Sequence, residues 1–145
     1  MPTLADTYIE NRQRVQPNHA NNYGAVHGGN LMKWMDEVGA MSAMRFAGAS
    51  CVTAAVDEFS FERPIPVGDT AVIEAYVFGA GRTSVRVFLR AHREDPHTGD
   101  QAKTTAACFT FVAVDADGKP TTVPSLDADS DEERELQATA RDLAE

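Results

Sequence analysis

Residues 21–47 read NNYGAVHGGNLMKWMDEVGAMSAMRFA, and this stretch sets the terms for the rest of the chain. Its first part is a Gly-rich loop, Tyr23-Gly24-Ala25-Val26-His27-Gly28-Gly29, preceded by Pro17-Asn18-His19-Ala20-Asn21-Asn22. Proline blocks helix propagation, and Asn and Gly tolerate left-handed backbone, so the spacing predicts an ordered loop. Its second part is an apolar run that predicts a helix over about Gly29–Phe46, with Gly48 just beyond it as the C-cap. Glycines at a helix entrance let a ligand approach the backbone closely. The unpaired N–H groups of the first turn favour an anion or a developing oxyanion.

At 100° per residue, Lys33, Glu37 and Met44 fall on one side of that helix, and Leu31, Met35, Val38 and Ser42 on another. Lys33 and Glu37 are spaced as a surface ion pair. Asp36 belongs to neither side. It lies among Gly29, Met32, Gly39, Ala40 and Ala43, a strip of mostly small residues that lets another backbone or a thin ligand pass close to the helix. The helix is apolar nearly all round, which asks for wrapping rather than one-sided packing.

Working outward, residues 4–16 read as an edge-like first strand. After the helix come four stretches rich in β-branched and aromatic residues, at 51–62, 69–79, 82–94 and 103–115, each ended by turn formers. In the third, Val85, Val87 and Leu89 alternate with Ser84, Arg86, Phe88 and Arg90, so one side shows two guanidiniums. One long helix followed by antiparallel strands is an α+β pattern. Residues 1–126 form one domain on this reading, and residues 127–145 an acidic C-terminal helix or tail.

The chain has 145 residues, 43% hydrophobic and 24% charged, which is the profile of a folded domain rather than of a disordered or membrane-embedded chain. No run approaches the ~20 apolar residues that span a bilayer, and the first residues lack a secretory-signal pattern, so a cytoplasmic protein is expected. The net charge of −9 argues against a nucleic-acid partner. Eight acids against Arg134 and Arg141 put −6 of it in residues 127–145, which leaves −3 for the rest. Cys51 and Cys108 both sit in apolar strand-like runs and read as buried thiols.

The run Ala20-Asn21-Asn22-Tyr23-Gly24-Ala25-Val26-His27-Gly28-Gly29-Asn30-Leu31-Met32-Lys33-Trp34-Met35-Asp36-Glu37 resembles the acyl-CoA hydrolase branch of the hotdog-fold thioesterases. Cys51-Val52-Thr53 through Phe61-Glu62-Arg63-Pro64-Ile65-Pro66-Val67-Gly68-Asp69, then Gly81-Arg82-Thr83-Ser84, and Gly118-Lys119-Pro120 to Val123-Pro124, extend the likeness over about residues 5–126. The resemblance implies five or six antiparallel strands wrapped around the helix, homodimers as the minimal unit, and trimers of those dimers. It implies hydrolysis of a fatty acyl-CoA to free acid and coenzyme A, with Asn21 and Asp36 as functional positions. His19 departs from the family pattern, standing where many relatives have an acid. No cofactor is called for, since coenzyme A is part of substrate and product.

Thioester hydrolysis needs an activated water, a place for an oxyanion and a grip on the carrier. Asp36 is the candidate base or direct nucleophile, against the plainer reading of an acid satisfied by backbone donors. Asn21 is the candidate for orienting water or carbonyl, against an Asx turn. The amides of Gly28, Gly29 or Asn30 are candidates for the oxyanion hole. His27, Arg63, Arg82, Thr83, Ser84 and Lys103 are candidates for holding coenzyme A, with Arg86 and Arg90 as further cations for its phosphates. His27, His19 and Asp36 make no recognisable metal spacing, and no G-x-S-x-G elbow is present. A non-catalytic acyl-CoA-binding module and an enoyl-CoA hydratase are the alternatives.

Overall fold

A computed structural model describes residues 2–144, with the side chain of Glu58 left aside; Met1 and Glu145, the outer ends of the two expected segments, lie outside the described residues. Strand β1 (Ile9–Arg14) is followed by helix α1 (Gly28–Ala47), strands β2 (Ser50–Phe61), β3 (Thr70–Ala80), β4 (Ser84–Glu94) and β5 (Gln101–Val114), and helix α2 (Asp131–Ala144). The five strands form one antiparallel sheet in the order β1-β3-β4-β5-β2, so β1 and β2 are its edges. The first strand is shorter than expected because Ala5–Thr7 closes into a 3-10 turn.

The side-chain period of two sorts this sheet into two apolar faces. On one, Ile73, Val77, Val85, Val87, Leu89, Phe109 and Phe111 pack against Leu31, Met35, Val38 and Phe46 of α1. Each side chain buried this completely contributes about 1.5–3 kcal/mol. Gly39 is part of that contact. A Cβ there would lie 3.0 Å from Leu89 Cδ1 and 3.2 Å from Phe111 Cζ, so the small residue lets the helix lie close on the sheet. The strip of small residues is therefore divided: Gly39 and Ala43 are buried by the chain's own sheet, and only Gly29, Met32 and Asp36 face open space.

α1 ends as its sequence predicts, with Gly48 left-handed at φ 65° and its N–H donated to the Met44 carbonyl. It is wrapped on one side only. Met32, Met41 and Met44 remain exposed along the other side, and Val52 and Val56 are exposed on the neighbouring edge strand β2. The expected all-round cover is thus incomplete within one chain. Lys33 and Glu37 are both exposed and form no ion pair among the described residues.

The second sheet face carries α2. Tyr76, Phe78, Phe88, Ala106 and Cys108 are buried with Leu4 and Ala140, and Leu136 and Leu143 pack at the margin. This cover is why Phe88, on the side of β4 that shows Arg86 and Arg90, is only 3% exposed. Tyr76 donates its hydroxyl to the Leu136 carbonyl at 2.6 Å, and Gln137 Nε2 donates to the Phe78 carbonyl at 3.0 Å. The first turn of α2 holds Asp131, Glu132 and Glu133, which complement its dipole. Ser130 and Glu133 cap it reciprocally, each side chain accepting the other's backbone N–H at 3.3 and 3.0 Å.

On the same outer face Glu74 accepts from Arg90 Nε at 3.0 Å and from the Tyr8 hydroxyl, and bonds His92 Nε2 at 2.8 Å. The hydrogen bond from His92, then those from Tyr8 and Arg90, hold its carboxyl at about 2 against an ordinary 4.5, although burial opposes this. A carboxyl whose folded value is depressed stabilises the fold above its unfolded value, and that stabilisation disappears as the pH falls through the folded value. Glu74→Gln is expected to cost about 1–2 kcal/mol at pH 7 once solvent screening is allowed for. In urea unfolding the gap from the parent should close as pH drops from 4.5 towards about 2. A gap that stays constant over that window would contradict the assignment.

Candidate functional site

The loop before α1 is built by its own backbone. The His19 carbonyl accepts from His27 N at 2.7 Å and from Asn30 Nδ2 at 3.1 Å, and the His19 ring stands edge-on against Trp34 with centroids 4.9 Å apart. Val26 N donates to the Ile65 carbonyl and Val67 N to the Gly24 carbonyl, which ties the loop to the segment after β2. Gly24 sits at φ 73°, a conformation that favours glycine. Held this way, Asn21 Oδ1 accepts from Tyr23 N at 2.9 Å and from Ala25 N at 3.3 Å. The plainer reading of Asn21, an Asx turn, is therefore present. It engages only the oxygen: the Nδ2 donors have no partner among the described residues.

Asn21 lines a cavity of about 390 Å³ together with Ala25, Gly28, Phe61, Arg63 and Thr104. Thr104 is 1% exposed and its hydroxyl lacks a hydrogen-bond partner among the described residues. Lys103, next in the chain, lies 3.8 Å from Glu62, another lining residue. Arg63 is exposed and forms no ion pair among the described residues, so it is an available cation at this cavity.

Asp36 opens onto a different cavity, of about 400 Å³, lined also by Gly29, Met32, Lys33, Thr53, Val56 and Phe109. Its Oδ1 accepts a 2.5 Å hydrogen bond from the Thr53 hydroxyl. That bond orients the carboxylate across the groove between α1 and β2. In the sequence Thr53 stands within the Cys51-Val52-Thr53 segment that carries the family resemblance, and nothing there marks it as a site residue. Its own signal is no more than a hydroxyl near the start of the strand after the helix. The irregularity that places it, a shift of β2–β5 register between Thr53 and Ala55, depends on pairing with a distant strand.

At the helix entrance His27 is the N-cap, its Nδ1 accepting from Gly29 N at 3.1 Å, while Asn30 N donates to the His27 carbonyl at 2.9 Å. Of the three amides considered for an oxyanion, Gly28 N–H is the one without a partner among the described residues. The Phe61 ring stands over this position, since a Cβ on Gly28 would come within 3.3 Å of Phe61 Cζ. His27 itself is exposed and lines neither cavity.

The remaining expected carrier-binding residues are not brought to either cavity. Arg82 and Thr83 lie in the β3–β4 turn, where their carbonyls accept from Val123 N and Ala113 N, and Ser84 is the first residue of β4. Ser84 lines a third groove, with Arg86. Arg90 is engaged by Glu74 and is not free for a phosphate. Among the described residues no group of His, Cys, Asp and Glu is arranged to hold a metal, and no helix is long and apolar enough to cross a membrane.

A long helix laid across one face of a curved antiparallel sheet is the hotdog fold. Residues 23–99 match the model of the thioesterase superfamily, and the chain belongs to that family. The Bacillus subtilis (strain 168) protein named uncharacterized acyl-CoA thioester hydrolase YkhA is 34% identical over 135 residues, covering 93% of this chain and 78% of its own. The solved acyl-CoA hydrolase of Staphylococcus aureus, in complex with butyryl-CoA, coenzyme A and coenzyme A disulfide, superposes with a TM-score of 0.89 at 32% identity, over 98% of this chain and 87% of that one. That enzyme has also been solved with an asparagine, an aspartate or a threonine replaced by alanine. An apo-hexameric acyl-CoA thioesterase matches at 33% identity and a TM-score of 0.89, over 99% of this chain and 94% of that one.

Proposed function

We propose that the chain is an acyl-CoA thioesterase that hydrolyses a fatty acyl-CoA to free acid and coenzyme A. The observation that carries this is Asp36, which opens onto a largely apolar cavity with its carboxylate aimed by Thr53. In this reading the free Asp36 oxygen takes a proton from water as the water attacks the thioester carbon, or attacks that carbon itself. The unpaired Gly28 N–H receives the developing oxyanion. Asn21 donates through Nδ2 to the carbonyl or the water, since its oxygen is already held by the loop. Arg63 and Lys103 contact the carrier at the Asn21 cavity. Asparagine, aspartate and threonine are also the residue types replaced in the solved variants of the Staphylococcus aureus hydrolase.

Within one chain Asn21 and Asp36 line separate cavities, entered from the two adjacent glycines Gly28 and Gly29. A homodimer, assembled further as a trimer of dimers, resolves this. The exposed Met32 and Val56 at the Asp36 cavity and the unpaired edge of β2 form the surface a second copy would cover, bringing its own Asn21 loop to Asp36. Each complete site would then contain Asn21 of one subunit and Asp36 of the other.

A thiol-release assay over acyl-CoAs from short to long chains tests the activity. Saturable release for at least one chain length is expected. Binding of acyl-CoA without thiol release would instead identify a carrier-binding module, and hydration of an enoyl-CoA without release would identify a hydratase.

A further inference from the structure

Outside both cavities, one groove gathers positive charge with no acid among the described residues lining it. It has a volume of about 400 Å³, lies between the β3–β4 turn and the end of α2, and is lined by Phe78, Gly79, Gly81, Ser84, Arg86 and Arg141. A second lobe of about 270 Å³ shares Gly79, Gly81 and Arg141 and adds Ser125 and Gln137. Among the described residues no Asp or Glu lines either lobe. In a chain of net charge −9, this is an unusual concentration of one sign.

The groove is assembled by long-range contacts. The β3–β4 register shifts between Val77 and Gly79, and the Phe78 carbonyl at this irregularity accepts from Gln137 Nε2 at 3.0 Å. Arg141 follows Gln137 by one helical turn on the same face of α2, so the bond that docks α2 also sets Arg141 over Gly79–Gly81. Arg86 is half-buried, with its guanidinium 5.0 Å from the centre of the Phe78 ring, which fixes its direction. Gly81 keeps the floor open, since a Cβ there would meet Ser84 Oγ at 2.6 Å. Neither Arg86 nor Arg141 forms an ion pair among the described residues. Two guanidiniums facing one groove repel each other until an anion lies between them, and a multivalent oxyanion offers both a bidentate acceptor.

We propose that the Arg86–Arg141 groove binds a diphosphate or phosphate ester, with Ser84 Oγ as a further donor. The ligand is either the nucleotide end of coenzyme A, in which case the assignment rests on the thioesterase reading, or a free nucleoside diphosphate. Calorimetric titration of the intact protein with inorganic pyrophosphate at low salt reads the site without any turnover. Binding should weaken at least about tenfold in Arg141→Gln and in Arg86→Gln, the loss of one charge-assisted contact each. Arg141 is exposed, so its variant should unfold at the parent temperature. No binding to the parent, or equal binding to parent and both variants, would overturn the proposal. A second measurement separates the sources. If KM rises in Arg141→Gln for acyl-CoA but not for the phosphate-free acyl-pantetheine thioester, the ligand is the substrate's own nucleotide. If pyrophosphate binding falls while both KM values hold, the ligand is a free nucleotide.

Discussion

Replacing Asp36 by Asn or Ala is expected to lower kcat for thiol release by about 10²–10⁴-fold, the range that positioned acid–base groups contribute. The fold should survive both changes. Asp36 is half-exposed and, among the described residues, its one side-chain hydrogen bond is to Thr53, on the exposed edge strand, so no buried polar group is orphaned by the substitution. Asn keeps the shape and can still meet the Thr53 hydroxyl, but it carries no charge to accept a proton. A matching loss in Asn and Ala variants, at unchanged unfolding temperature, therefore isolates the charge. Near-parental turnover in both would remove Asp36 from the mechanism.

The second large effect is a rescue. Asn21→Ala and Asp36→Ala are each expected to be nearly inactive alone, yet co-expression in equal amounts should restore about a quarter of parental turnover. The figure follows from random pairing in a two-fold dimer: half the dimers are mixed, and each mixed dimer has one site with both residues and one with neither. Were each site built from one chain, every site in the mixture would lack one of the two residues, so an extract no more active than the better single variant would refute the shared site. The geometry behind the expectation is the separation of Asn21 and Asp36 into cavities on either side of the α1 entrance.

What could be read from the residues was local. The start of α1 at paired glycines, its end at Gly48, and the ends of β2, β3, β4 and β5 at turn formers depend on neighbours a few positions away, and the structure places these within a residue or two of expectation. The burial of Leu31, Met35, Val38 and Ser42 against the exposure of Lys33, Glu37 and Met44 follows from helical periodicity alone. The missed features all join distant segments. Thr53 meets Asp36 across 17 positions, and Glu74 gathers partners from Tyr8, just before β1, and from β4. The covering of Phe88 depends on a helix that composition could equally describe as a solvated tail. Asn21 shows the converse, since loop chemistry predicts an Asx turn and the turn is there, but which atoms it leaves free is settled only by the backbone donors it meets.

The Ser130–Glu133 cap at the start of α2 has a consequence for how the chain folds. Glu133 Oε2 also accepts from Ala5 N at 2.8 Å, across 128 positions, and Leu4 N and Asp127 N exchange hydrogen bonds with Asp127 and Pro2 carbonyls. These bonds close a loop that encompasses nearly the whole polypeptide, the most costly closure in chain entropy. They should form after the sheet has collapsed, on the unfolding-sensitive side of the transition state, so that weakening them accelerates unfolding while leaving the refolding rate almost unchanged.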